Sequence, residues 1–323
     1  MKAVVLEAFG GPEMLRLREL PPPVAAAGEV VVRVAATALN HADLLQRSGT
    51  YTKGAEVGMV IGMECSGHVE SVGSGVTGWQ VGDRVCALVS RGAYAEQVAA
   101  PATQVMPIPA GIDLLEAAAL PEVAATVWSN VVDIGRLAAG ETLLVHGANS
   151  GIGVTAIRMA RAAGARVIAT ARGADKARKA GELGADLALD ASAGDWAPAV
   201  RASGGANVVL DMVGTAYFER NLDVLNPDGR LVVIATLTGH EVGLELRRLM
   251  LKRLTVTAST LRARDADEKA RLADAVESHA WPWVESGALR VPVDRTFPLE
   301  QASAAHAWLE SGSQFGKVVL TLA

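Results

Sequence analysis

Residues 146 to 153, His-Gly-Ala-Asn-Ser-Gly-Ile-Gly, join an apolar run, ETLLV, to a segment with helical spacing, VTAIRMARAAG. A strand-to-helix turn of this kind gathers unpaired backbone amides and the positive end of a helix dipole at one point. Glycines let an anion approach them closely. Gly147, Asn149, Ser150, Gly151, Ile152 and Gly153 are therefore candidates for holding the pyrophosphate of a dinucleotide. The next apolar run, RVIATA, ends without the Asp or Glu that would bond ribose hydroxyls, and Arg172 and Lys176 follow it. Two cations at that place suit a 2′-phosphate and predict NADPH over NADH. Asp175, one turn on, is predicted to start the following helix.

The glycine spelling, Gly147-x-x-x-Gly151-x-Gly153, is also that of the short-chain dehydrogenases. Those enzymes need a Tyr with a Lys four residues on, so that the cation lowers the phenol pKa. Here Tyr51, Tyr94 and Tyr217 are followed four residues later by Ala55, Val98 and Asn221, so that chemistry is excluded. The turn also lies late in the chain, behind a β-rich region. Cys65 and Cys86 are too few for a disulfide framework or a four-cysteine zinc lobe and read as small buried residues. His68, close to Glu64, reads as a structural strand residue.

These residues must be positioned by more than one domain, because 323 residues exceed the usual size of one. Residues 1 to about 120 are rich in β-branched runs (VVVRVAATAL, GHVESVG, DRVCALVS) separated by turn signals. From there, apolar strands alternate with helical segments: 141–147, 166–171, 186–190, 207–214, 230–236 and 254–260 are the predicted strands. That alternation indicates a parallel sheet covered on both faces. A charged run from Arg264 predicts a helix with a solvated face, and the tail returns to strands, VPVDRTF and GKVVLTL, that complete the first domain. The predicted organisation is a β-rich domain of residues 1–121 plus 265–323 around a doubly wound domain of residues 122–264. A net charge of −5 with no basic block argues against a nucleic-acid partner, and no apolar run has the length needed to span a bilayer. The apolar stretch in MKAVVLEAFGG is short for a signal peptide, so a cytoplasmic location is expected.

A β domain built from both chain ends around a Rossmann-type domain resembles the medium-chain dehydrogenase/reductase superfamily. ALNHADLLQRSGTY (38–51), GMECSGHVESVGSGVTGWQVGDRV (62–85), LPEVAATVW (120–128), HGANSGIG, TLRARD (260–265) and GKVVLTL (316–322) carry the resemblance. Together they are most similar to the zinc-free quinone oxidoreductase branch, and within it to the tumour-suppressor-inducible NADPH quinone oxidoreductases. The resemblance implies an α/β fold: a Rossmann-type doubly wound parallel sheet inserted in a GroES-like β-rich catalytic domain. The zinc alcohol dehydrogenases of this superfamily bind their catalytic metal with a Cys three residues before an Asp and with the His of a Gly-His-Glu triplet. The matching places here are Asn40 before Asp43, and Gly62-Met63-Glu64, so no metal is expected.

The resemblance also assigns residues near the nicotinamide. Tyr51 is the candidate donor to substrate or cofactor, Asn40 can donate through its amide, and Asp43 braces the loop or the cofactor. Thr126 matches a residue beside the cofactor. Ala235, Thr236 and Leu237, with Leu261 and Arg262, match loops flanking the nicotinamide, and Gly316 and Lys317 match a C-terminal cofactor clamp. Two positions depart from the subgroup: Gly173 replaces a serine and Ala191 a tyrosine that help hold the adenosine end, which leaves more to Arg172 and Lys176. The expected activity is zinc-independent, NADPH-dependent hydride transfer to quinones. The alternatives are reduction of α,β-unsaturated carbonyls or enoyl thioesters and, from another class, a non-catalytic NADPH-binding sensor or structural protein. The apolar segment 254–260 reads as an edge strand and predicts a homodimer by sheet continuation.

Overall fold

The computed structural model describes residues 1–51 and 55–322. The strands in chain order are β1 (Lys2–Leu6), β2 (Leu15–Glu19), β3 (Glu29–Ala38), β4 (Glu64–Val72), β5 (Arg84–Leu88), β6 (Gln97–Pro101), β7 (Val105–Pro107), β8 (Thr142–His146), β9 (Arg166–Ala171), β10 (Leu187–Asp190), β11 (Ala206–Asp211), β12 (Leu225–Val233), β13 (Thr255–Ala258), β14 (Val293–Pro298) and β15 (Lys317–Thr321). Two compact units form. One comprises Met1–Val123, Asp265–Glu285 and Val291–Ala323, and the other Ala124–Arg264 with Ser286–Arg290.

In the first unit the sheet order is β14-β15-β3-β4-β5-β7, with β6 also on β3. The C-terminal strand β15 runs antiparallel to β3, with Val319 opposite Ala38, so the tail joins the N-terminal sheet as its strand pattern implies. β3, with five β-branched residues in EVVVRVAATA, supplies both faces: Val30, Val32 and Val34 pack with Cys65, Val69 and Val85 in one core. A second core gathers Val4, Leu6, Leu39, Ile61, Tyr94 and Leu320. Behind β3 a helix, His41–Ser48, ends at Gly49, whose φ of 77° is left-handed.

The second unit holds a six-stranded parallel sheet in the order β10-β9-β8-β11-β12-β13. Leu143, Leu144, Val167, Ile168, Val209 and Leu210 are wholly buried, as strands covered on both faces require. The reversal of strand order lies between β8 and β11, which puts the turn after β8 at the switch point where ligands bind in such sheets. One strand differs from its predicted span of 230–236. Leu225 already pairs with Ala206 across a register shift, and pairing resumes at Arg230, so the Pro-Asp-Gly signal marks an irregularity inside β12. The charged run forms the helix Ala266–Ala275, capped by Asp265, whose carboxylate accepts the Glu268 amide at 2.8 Å. Its solvated face has a buried counterpart in Leu272 and Ala273.

Candidate active site and cofactor turn

In the second unit, Ser150 is the N-cap of the helix Gly151–Ala162. Its hydroxyl accepts the Gly153 amide at 3.0 Å and donates to the Gly147 carbonyl at 2.8 Å, closing the turn on itself. The spacing of the glycines follows from this closure. Gly147 has φ 67°, and a Cβ there would lie 2.7 Å from Met212 Sδ. A Cβ on Gly153 would lie 2.3 Å from the Gly147 carbonyl oxygen, so the helix could not sit this close to the turn. With Ser150 on Gly153, the amides of Gly151 and Ile152 at the first helical positions have no intrahelical acceptor and remain for an anion. Asn149 and Ile152 stand half-buried on the same turn.

Beyond β9, Arg172 is exposed and Lys176 half-buried on the first turn of the helix Ala174–Leu183. Gly173 precedes that helix and donates its amide to Asp190 Oδ1 at 2.8 Å. Asp175, inside the first turn, pairs with Arg178 and Lys179. The loops after β11 and β12 are stitched together: Leu237 and Thr238 donate their amides to Met212 and Val213, and the Thr238 hydroxyl bonds the Val213 carbonyl at 2.8 Å. Ala235, Thr236 and Leu237 sit at this seam, with Thr236 and Leu237 exposed. Thr126 is buried, and its carbonyl accepts the Asn130 amide at 2.8 Å. Asn130 in turn accepts from the Ser259 hydroxyl at 2.6 Å, which ties Thr126 to the segment entering Leu261 and Arg262.

In the first unit, Asn40, Glu64 and Lys317 converge. The Asn40 amide nitrogen donates to Glu64 Oε1 at 2.9 Å, and Lys317 Nζ donates to Asn40 Oδ1 at 2.7 Å and to Glu64 Oε1 at 2.6 Å. Glu64 Oε2 accepts the Glu122 amide at 2.8 Å. The Glu64 side chain is fully buried and that of Lys317 is only 3% exposed. Lys317 thus lies inside the unit at the start of β15, with its ammonium on two side chains. Gly316 before it passes so close to Pro292 that a Cβ would lie 2.1 Å from the Pro292 carbonyl oxygen.

Asp43 begins a second buried chain. Its Oδ2 accepts the Asn40 backbone amide at 2.8 Å and the Tyr94 hydroxyl at 3.1 Å. Tyr94 Oη lies 3.2 Å from His306 Nε2, and Arg47 Nη1 lies 3.3 Å from His306 Nδ1. A guanidinium only donates, so Nδ1 must accept, the ring proton is on Nε2, and all the donors point toward Asp43. Burial pushes the Asp43 carboxyl up to about 7 and, with Arg47, pushes His306 down to about 3. Asp43 thus holds the Asn40 backbone at the start of the helix. Tyr51 is half-buried, with its amide on the Leu45 carbonyl at 3.1 Å. Burial raises the Cys65 thiol to about 12 and Cys86 well above its ordinary value, so neither is a nucleophile.

Glu64, Tyr94 and His306 were not candidates from sequence. Glu64 was read only as the end of a triplet lacking its histidine, and Tyr94 only for its missing lysine. His306 carries no motif, and 212 residues separate it from Tyr94.

Both halves of the fold match known families. Residues 26–110 match the alcohol dehydrogenase GroES-like domain, and residues 151–278 match the zinc-binding dehydrogenase family. The chain is 35% identical over 326 residues to a quinone oxidoreductase of Pseudomonas aeruginosa, covering 99% of each. Among solved structures it resembles Escherichia coli quinone oxidoreductase complexed with NADPH, with 31% identity, all of both chains covered and a TM-score of 0.90. It also resembles an NAD-dependent alcohol dehydrogenase, with 35% identity, all of both chains covered and a TM-score of 0.89. A GroES-like unit and a doubly wound parallel sheet with a glycine-rich switch-point turn define a medium-chain dehydrogenase/reductase. Within that superfamily the chain belongs to the quinone oxidoreductase group, and it is an oxidoreductase.

Proposed function

We propose that the protein reduces quinones by two electrons with NADPH and without a metal. The observation that carries this reading is Lys317 bonded to both Asn40 and Glu64. In a zinc-binding relative the metal would need ligands at Asn40 and Met63. Here an amide and a thioether stand at those places, and the amide oxygen is already held by a buried ammonium. These residues do not fit a zinc ion. Without a Lewis acid, a developing oxyanion must be met by hydrogen-bond donors. Such weak polarisation suits acceptors that spread the incoming charge into a conjugated oxygen, as quinones do. Asn40 and Tyr51 are the proposed donors. The bound nicotinamide supplies the hydride, and the Ser150 turn, Arg172 and Lys176 bind its phosphates. Thr126, Ala235 to Leu237, Leu261 and Arg262 flank the nicotinamide in this reading.

The test is steady-state oxidation of NADPH by the chelator-treated protein with a quinone, an enal and an enoyl thioester. Turnover is expected to be fastest with the quinone and unchanged by added zinc. Faster turnover of the enal or thioester would replace the substrate assignment. Loss of activity on chelation, restored by zinc, would overturn the metal-free mechanism. We further propose a homodimer through the open edge of β13.

A further inference from the structure

We propose that Lys317 is a positioning residue that stands in for a metal's charge by polarising and orienting the Asn40 amide, rather than by clamping the cofactor. The inference rests on the reading of the chain as a metal-free reductase. Asn40 has one oxygen acceptor and two N–H donors. Lys317, which can only donate, holds the oxygen at 2.7 Å, and Glu64 holds the nitrogen at 2.9 Å. A flipped amide would set nitrogen against ammonium and oxygen against carboxylate, so these neighbours enforce one orientation.

In that orientation the second N–H of Asn40 is weakly held. Among the described residues its other acceptor, the Ala38 carbonyl, lies 3.5 Å away, at the limit of a hydrogen bond. This N–H is the donor left for a substrate oxygen. A cation on the amide oxygen draws charge through the C–N bond and makes the remaining N–H a stronger donor, an effect that low dielectric enlarges. The Lys317 side chain is 3% exposed and that of Glu64 fully buried, so water screens little of it. This arrangement needs no ligand exchange. It polarises one donor instead of binding the substrate oxygen itself, as a metal would.

The experiment uses the full chain with Lys317→Met, Asn40→Ala, their combination, and Lys317→Met paired with Glu64→Gln. The readouts are kcat with a quinone, NADPH Kd by fluorescence, and melting temperature. Lys317→Met leaves the Asn40 donor in place but weakened, so it is expected to lower kcat by about ten- to a hundredfold, less than the roughly hundred- to thousandfold cost of losing an oxyanion donor outright, while NADPH Kd changes by less than about twofold. Added to Asn40→Ala, it should cause no further loss. The paired variant removes both buried charges, so it should regain the melting temperature that Lys317→Met loses but not kcat, because a Gln at 64 can face either end of the amide. A rise in NADPH Kd as large as the fall in kcat would make Lys317 a cofactor clamp and overturn the proposal. Multiplying effects with Asn40→Ala, or recovery of kcat along with stability, would overturn it too. If Lys317→Met does not fold, the paired variant is judged by the same kcat and Kd criteria. These failures, with an active wild type, leave the assigned reaction standing. A wild type that fails to oxidise NADPH with the quinone, the enal and the enoyl thioester alike overturns both.

Discussion

At the residue scale, two carboxylates set the character of the first unit. Glu64 is fully satisfied by Asn40, Lys317 and the Glu122 amide. Asp43 is not: its Oδ1 is buried without a hydrogen-bond partner among the described residues. Burial is the largest cause lifting Asp43 from 3.8 to about 7; Glu64 adds to it, while the Asn40 amide, Lys317 and Tyr94 oppose it. A folded pKa above the unfolded one means the native state keeps a proton that the unfolded chain has released. Its contribution is therefore full below about pH 4 and is lost as pH rises to about 7. Replacing Asp43 by Asn should remove this slope. Urea unfolding at pH 5 and pH 8 should show wild type losing, relative to the variant, on the order of a few kcal/mol. His306 and His146, held neutral by burial, give slopes of the opposite sign that cancel in this difference. A variant with the same pH dependence as wild type would refute the assignment. In the second unit, Arg172→Ala with Lys176→Ala should raise the NADPH KM on the order of tenfold or more, as loss of charged phosphate contacts would, and leave that for NADH nearly unchanged. Equal effects would remove the 2′-phosphate role.

At the element scale, the cofactor turn is a capping problem before it is a binding site. Ser150 closes the helix Gly151–Ala162 on the carbonyl of Gly147, and the tight approach of Gly153 needs that closure. Ser150→Ala should cost about 1 kcal/mol and Ser150→Gly only a few tenths, both measurable by denaturant unfolding. Similar losses for both would show that the hydroxyl does not cap. The turn, β8, β9 and the helix between them were legible in sequence because local rules govern them: apolar runs, glycine punctuation and helical spacing. The start of β12 at Leu225 was not, because Pro227 and Gly229 signal a turn while pairing with β11 decides the strand.

At the scale of the whole molecule, β13 ends the parallel sheet with β12 on one side and no described strand on the other. In the helix Leu246–Lys252, which precedes β13 in sequence, Leu246, Met250 and Leu251 are 66%, 75% and 72% exposed. An open edge beside bare apolar side chains is what a partner's copy would cover. Light scattering at micromolar concentration should give a dimer, and Met250→Glu with Leu251→Glu should shift it toward monomer. A monomeric wild type would end the proposal.

The sequence by itself determined the class of fold, the cofactor turn and the amide and thioether at Asn40 and Met63, because each is written in short-range spacing or in residue type. It also predicts that the two chain ends build one unit, since the final strands have no place in the doubly wound sheet. Only the tertiary structure decided which side chains meet the Asn40 amide. Lys317 reaches Asn40 across 277 residues of chain, and His306 reaches Tyr94 across 212. No local pattern records such pairings. They arise because β15 lies antiparallel to β3 and delivers its first residue to the end of that strand, where the buried ammonium meets Asn40 and Glu64.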